Sequence, residues 1–514
     1  MKKERSRVRT TKWNLIYQYV SIALMMVSGI FMVPLYLKFL TVDIYGAWLA
    51  TGNILVWLTA IDPGISTVLQ QRIAEAYGKK DFQGLTEYLA AGLVITAVIV
   101  IFMILIGFLF ARFLPSLLNL PFIIDAALIQ KAFIMALIGS TLMIFSFSII
   151  AVNQGLQGSL GVGIIHVVVI ILSILLTVYL LYGGFGLLGI AVSPLFQGIG
   201  LILGNSGYLF WRIQSEKLEY SFSFRKVSNV ARLISYTFFG RIGGVVANNM
   251  DLFVVSRFLG PETVAMLNLT RRAPDMSRMF IERPAVALMP AVSHLFGAGE
   301  IIKAKFILMR LFRMIIWSLG LVVGGFLALN DDFVRLWVGP ALFAGQTINI
   351  IICITVLTQV IVCSLANLCF ALGNIKGNSL SSLVQSLLQI PLVIFGVKYF
   401  GILGAVLATL IPLLVVQAWY FPLTFSKLLN LVQQDRNDVV REVLCVILAS
   451  IPLTLAFTLV YPTEWLHFMA IVVAFCFLYA SALYLVSGPF RTEINQAIHK
   501  MPLIFSSPSS NKSP

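Results

Sequence analysis

FLTVD (Phe39-Leu40-Thr41-Val42-Asp43) lies between two long apolar runs, and 219 positions later FLGPE (Phe258-Leu259-Gly260-Pro261-Glu262) lies between two more. The same shift carries Gly78-Lys79-Lys80-Asp81 onto Gly297-Ala298-Gly299-Glu300, and a shift of 215 carries FGLLGIA (185–191) onto FGILGAV (400–406). One short apolar coincidence is common in a hydrophobic chain, whereas matches at both ends of a long block mark an internal repeat. Six apolar runs separate the copies. An even number gives both copies one orientation, which is the parallel repeat about an axis along the membrane normal. Residues 15–211 are therefore expected to superpose on 230–426.

Working outward, the apolar runs cover 15–39, 45–76, 85–113, 123–152, 160–182 and 186–211, then 230–259, 262–296, 304–329, 344–372, 379–400 and 402–426, and finally 439–461 and 465–487. Each is long enough to cross about 30 Å of hydrocarbon as a helix. The expected fold is an all-α integral membrane protein of about fourteen transmembrane helices. Two pseudo-twofold-related six-helix lobes are joined by a C-terminal helix pair. The segments are a cytoplasmic basic arm (1–14), an N-lobe (15–226), a C-lobe (227–433), the helix pair (434–490) and a disordered cytoplasmic tail (491–514).

Composition agrees. Of 514 residues, 59% are hydrophobic and 11% charged, where a soluble chain carries about 25% charged residues. The net charge of +15 would suggest nucleic acid in a soluble protein. Here the basic residues cluster in alternate short loops, the positive-inside pattern, so no nucleic-acid partner is expected and both termini are placed in the cytoplasm. The N-terminal MKKERSRVRTTKW resembles a signal-peptide n-region, but the apolar stretch after it is too long for an h-region and no cleavage site follows. It reads as an uncleaved first helix. The five Cys and four His show no metal-binding spacing, and no phosphate-binding G-x-x-x-x-G-K-[ST] occurs. No metal or cofactor is expected. A two-lobe bundle of this kind places its substrate path at the repeat interface, which reads as a secondary transporter.

Five strings carry a family resemblance: VPLYLKFLTVDIYGAW (33–48), AIDPGISTVLQQRIAEAYGKKD (60–81), VVSRFLGPETVAMLNLTRR (254–272), RPAVALMPAVSHLFGAGE (283–300) and ALGNIKGN (371–378). In order they resemble bacterial polysaccharide transporters over roughly residues 10–430, with Pro63 where Leu or Phe is usual. The resemblance implies the MOP exporter superfamily (multidrug/oligosaccharidyl-lipid/polysaccharide), and within it the O-antigen flippase branch. It implies alternating-access flipping of an undecaprenyl-pyrophosphate-linked oligosaccharide across the bacterial inner membrane, for lipopolysaccharide or other polysaccharide biosynthesis. A coupling ion (H+ or Na+) and polysaccharide polymerase or assembly proteins are the further partners expected. The lipid II flippases carry arginines on helix one; here that helix offers Asn14, Gln18, Ser21 and Ser28.

Charges inside a span cost about 2.5–3.5 kcal/mol each on insertion scales and need a partner or a wet cavity. Helix eight is the outlier, with Arg271, Arg272, Asp275, Arg278, Glu282 and Arg283. Arg271, Asp275, Arg278 and Glu282 are spaced to lie along one helical face. Helix seven adds Arg241, Asn248, Asn249 and Asp251, and helix two adds Asp62. Two readings stand. In one, Arg271–Asp275 and Arg278–Glu282 form a self-neutralising ladder. In the other, Arg241, Arg271, Arg272, Arg278 and Arg283 line a cationic cavity that grips pyrophosphate bidentately, with Asn248 and Asn249 bonding sugars. Asp62, Asp251 and Asp275 are the coupling-ion candidates; Asp62 equally suits pairing with an arginine of helix eight. The chain is expected to move cargo without covalent chemistry. A lipid II flippase of the same superfamily is one alternative, and two further rivals differ in their demands. A MATE-like multidrug exporter would need a net acidic cavity, and a membrane glycosyltransferase or polymerase would need large polar loops. The longest interhelical polar segment here is about seventeen residues, 213–229.

Overall fold

The computed structural model describes residues 28–59, 65–118, 125–156, 158–215, 221–231, 249–297 and 300–505, together with 20, 23 and 24. Among these residues the structure is helical, with no strand. In chain order the helices are α1 (Ser28–Phe39), α2 (Val42–Thr59), α3 (Ile65–Lys79), α4 (Phe82–Leu118), α5 (Ala126–Gly155), α6 (Ser159–Tyr182) and α7 (Gly186–Ser215). They continue with α8 (224–231), α9 (Asp251–Leu259), α10 (Pro261–Gly297), α11 (Ile301–Val338), α12 (Gln346–Ala371) and α13 (Ile375–Pro412). The last are α14 (Tyr420–Leu428), α15 (Gln433–Phe457), α16 (Trp465–Val486) and α17 (Gly488–Phe505).

Nine helical segments among the described residues are long and apolar enough to cross a membrane. One of them, Lys376–Leu428, has 53 residues, about 80 Å at 1.5 Å per residue and so two passes. The chain bends between them at Gly401, whose φ of 60° and ψ of −138° suit a residue without Cβ. With the remaining described helices α1, α2, α3, α9 and α10, this fits a count of about fourteen. Charge keeps α10 out of the apolar set. The faces of α4 that carry Ile101, Phe102, Leu105, Leu109 and Phe113 are exposed, as lipid-facing surface must be.

The repeat is visible in local structure. Helix starts recur at shifts of 219 (α2 and α10, α4 and α11), 220 (α5 and α12) and 216 (α6 and α13). Polar ties recur in register too. Gln130 donates to the Ala111 carbonyl at 3.1 Å between α5 and α4, and 219 positions on, Asn330 donates to Asn349 Oδ1 at 2.8 Å between α11 and α12. Asn153 donates to the Asn205 carbonyl at 3.0 Å, and 216 positions on, Cys369 Sγ approaches the Phe421 carbonyl at 4.0 Å. The bend at Gly401 likewise has its counterpart at Gly186, where φ is 52°. Between two of these ties the shift falls from 219 to 216, so α12 is three residues shorter over 349–369 than α5 over 130–153.

By contact the chain forms two compact units, Met1–Asn268 with Ser382–Ala408, and Leu269–Ser381 with Thr409–Pro514. Sequence repeat and compact unit are different partitions: one follows helix order, the other follows packing. Within the first unit, Ile73, Leu85, Leu89, Ile149, Val152 and Leu209 pack α3, α4, α5 and α7 together. A Cβ on Gly139 of α5 would sit 2.3 Å from the Leu195 backbone nitrogen of α7, the small-residue contact by which membrane helices approach closely. Within the second unit, Ile316, Trp317, Val446, Ala449, Tyr479 and Leu483 join α11, α15 and α16. The tail expected to be disordered from residue 491 is corrected in part. It continues as α17 to Phe505, because Phe490, Ile494, Ile498 and Met501 recur at helical spacing.

Candidate functional site

α10 begins where Gly260 (φ 90°) ends α9 and Pro261 occupies the first helical position, an arrangement that needs no amide from the proline and lets glycine take the left-handed turn. Its 37 residues span about 55 Å, against about 30 Å of hydrocarbon. With about 12 Å of overhang at either end, residues 271–283 occupy the central stretch. There is no interfacial reading for all six of its central charges.

Both rungs of the expected ladder form, and both are loose. Arg271 Nε lies 3.6 Å from Asp275 Oδ2, and Arg278 Nε lies 3.8 Å from Glu282 Oε1. A charge-assisted hydrogen bond would close to about 2.7–2.9 Å. Arg278 Nε and Glu282 Oε1 are buried atoms without a hydrogen-bond partner. Arg278 instead directs Nη1 to Gln359 Oε1 on α12, at 2.5 Å. The four side chains are 21–39% exposed. Arg272 Nε is buried and unsatisfied, and Arg283 acts by its charge on Glu282. Four arginines therefore face two carboxylates on this stretch, and the guanidinium forks are not closed onto them.

The other candidates divide. Asn249 and Asp251 lie in the first unit at the start of α9, Asp251 buried at 6% exposure. Asp62, Arg241 and Asn248 lie outside the described residues. The structure thus brings together Arg271 with Asp275, and Arg278 with Glu282 and Gln359. Gln359 is the participant that sequence reading misses. Its signal is a lone amide within the apolar run TVLTQVIVC (355–363).

Comparison with known proteins was informative only in three dimensions. No family model and no curated protein sequence matches the chain. Among solved structures, the lipid II flippase MurJ in its inward closed conformation superposes with a TM-score of 0.67 at 15% identity, covering 96% of this chain and 99% of MurJ. An inward-facing multidrug resistance MATE family transporter of the MOP superfamily gives 0.64 at 14% identity, covering 79% and 95%. This chain has the fold of these transporters. A third MOP structure, the Vibrio cholerae MATE transporter VcmN in its bent form, gives 0.55 at 16% identity, covering 83% and 98%.

A second polar cluster went unread in the sequence. Glu442 of α15 is 2% exposed and accepts from Trp317 Nε1 at 2.8 Å and Ser487 Oγ at 2.7 Å. Tyr479 OH donates to the Trp317 carbonyl at 2.8 Å. The segment QQDRNDVVRE (433–442) reads as a polar loop, yet α15 starts at Gln433 and buries its last residue. The spacing Glu442, Cys445, Val446, Ala449, all buried, is the helical stripe that carries it.

Proposed function

We propose that this chain is a flippase for an anionic, pyrophosphate-bearing lipid-linked saccharide, working by alternating access and making no covalent bond. One observation carries the reading: the excess of arginine over carboxylate at the centre of α10, with the Nε atoms of Arg272 and Arg278 buried and without a hydrogen-bond partner. A multidrug exporter shares the fold, but cationic cargo is repelled by such a helix, whereas guanidinium forks match pyrophosphate oxygens bidentately. Within the lipid-linked class, the fold likeness favours a cargo like that of the lipid II flippase, the neighbour that covers nearly the whole chain. The sequence resemblance, and a first helix without arginines between Asn14 and Ser28, support an O-antigen-type repeat unit. Asp62, Asp251 and Asp275 are our candidates for ion coupling. We place the protein in the bacterial inner membrane with both termini cytoplasmic, on the lopsided loop charges.

Reconstitution tests this. Purified protein is placed in liposomes with fluorescent undecaprenyl-pyrophosphate oligosaccharide, with fluorescent lipid II, or with a cationic dye. Flipping of one lipid-linked substrate, and no movement of dye, is expected. Dye transport without flipping of either lipid would overturn the proposal.

A further inference from the structure

Arg278 has two acceptors near it and bonds the weaker one. Its Nη1 donates to Gln359 Oε1 on α12 at 2.5 Å, while its Nε stands 3.8 Å from Glu282 Oε1 on its own helix. Both of the latter atoms are buried without a hydrogen-bond partner. A guanidinium in a low-dielectric site gains more from a carboxylate than from a neutral amide, because both partners then carry charge. Closure onto Glu282 would also satisfy both orphaned atoms. The bond to α12 therefore holds Arg278 in an arrangement that the charges of α10 by themselves do not favour.

Gln359 lies near the middle of α12, a helix without Asp, Glu, Lys or Arg. The amides at the start of that helix make ordinary ties between neighbours: Gln346 and Asn349 donate to the Leu327 and Phe326 carbonyls of α11. Thr355 and Thr358 turn back onto carbonyls of α12 itself. Gln359 takes a charged partner instead. A guanidinium only donates, so the amide must present its oxygen to Arg278. The first copy of the repeat has no such pair. A shift of 219 puts Thr59 in the place of Arg278, and shifts of 219 to 216 put Ser140 to Met143 in the place of Gln359. The bond is thus no relic of the packing that both copies share. We infer that Gln359 is a positioning residue for cargo. By anchoring Nη1 it keeps the Nε–Nη2 edge of Arg278, a fork that suits two phosphoryl oxygens, from closing onto Glu282. Because the amide is neutral, the guanidinium keeps its full charge. The inference rests on the pyrophosphate reading above and assigns Gln359 no contact with cargo.

The test measures flipping by the full chain in liposomes over a range of cargo concentrations, together with the amount of protein in the membrane. The probe is fluorescent undecaprenyl-pyrophosphate oligosaccharide, or fluorescent lipid II if that is the lipid the unmodified protein moves. Gln359→Met keeps the length of the side chain and removes the acceptor. Abundance should hold, and the half-saturating cargo concentration should rise about tenfold. Adding Glu282→Gln leaves Arg278 no carboxylate to close onto, so the double variant should recover most of that loss. A merely structural role for Gln359 gives no such rescue. Gln359→Glu keeps the bond and cancels the charge, and flipping should fall by about tenfold or more at full abundance. That variant decides the matter if Gln359→Met lowers abundance. An unchanged half-saturating concentration in an abundant Gln359→Met, a double variant no better than the single one, or full flipping by Gln359→Glu would each overturn the positioning role while the pyrophosphate reading stands. If the unmodified protein flips neither lipid, that reading fails and this inference falls with it.

Discussion

On α10 the carboxylates of Asp275 and Glu282 stand 3.6 and 3.8 Å from their arginines and are 39% and 21% exposed. On α15 the carboxylate of Glu442 is 2% exposed and takes bonds of 2.8 and 2.7 Å from Trp317 and Ser487. Both are acidic groups within membrane-spanning helices of one compact unit. The difference lies in what each has been given. Glu442 has neutral donors at full hydrogen-bonding distance and tight apolar packing from Val446, Tyr479 and Leu483, which suits a fixed joint between α11, α15 and α16. On α10, Arg278 has a carboxylate near enough to lower the cost of insertion and too far to saturate its Nε. Polar groups that are satisfied hold a structure together, and polar groups left partly unsatisfied at mid-membrane are the ones that await a ligand.

That contrast can be broken from either side. The largest effect is expected at Glu442. Replacing it by Ala strands the Trp317 indole N–H in a buried site, and should lower stability by about 2–3 kcal/mol, read as a fall in membrane abundance and unfolding midpoint. Flipping per folded molecule should be unchanged. A transport defect at full abundance would move Glu442 into the working machinery.

Arg272→Gln comes next. Its Nε is buried with no hydrogen bond to lose, so abundance should hold while flipping falls about tenfold, the equivalent of about 1.4 kcal/mol of lost cargo interaction. Unaltered flipping would restrict the cationic reading to Arg271, Arg278 and Arg283. The smallest effect is expected for Asp275→Asn. It removes the negative charge of a side chain that is 39% exposed, and should shift stability by no more than about 1 kcal/mol while tightening binding of a pyrophosphate lipid. A collapse in abundance would show that the Arg271–Asp275 rung is structural after all.

How much of this was legible beforehand varies with the kind of signal. Helix number and the repeat came from apolar length and from strings such as FLTVD and FLGPE, because the bilayer imposes a length on every span and the turn chemistry of Gly260-Pro261 is local. The α10 pairs were legible because i, i+4 neighbours on a helix meet whatever the tertiary fold. Gln359 was not, since its bond to Arg278 joins residues 81 positions apart. Glu442 drew no attention for a different reason: it sits beside the charged residues Asp435, Arg436, Asp438 and Arg441, and only the helical stripe of α15 shows that it turns inward. The tail was misread from its Ser/Pro-rich end, although Phe490 to Met501 already carried a helical period.

The claim that matters most is that the α10 arginines hold cargo and do not merely hold the helix. Arg278→Ala and the double change Arg278→Ala with Glu282→Ala separate the two when membrane abundance and flipping are measured in the same cells. If Arg278 serves the cargo, both variants reach the membrane in normal amounts and both lose flipping, and Arg278→Lys recovers only part of it because a point charge lacks the bidentate fork. If Arg278 only compensates Glu282, the single variant loses abundance by stranding a carboxylate, and the double variant regains abundance and flips normally. Normal flipping by the double variant would contradict the account.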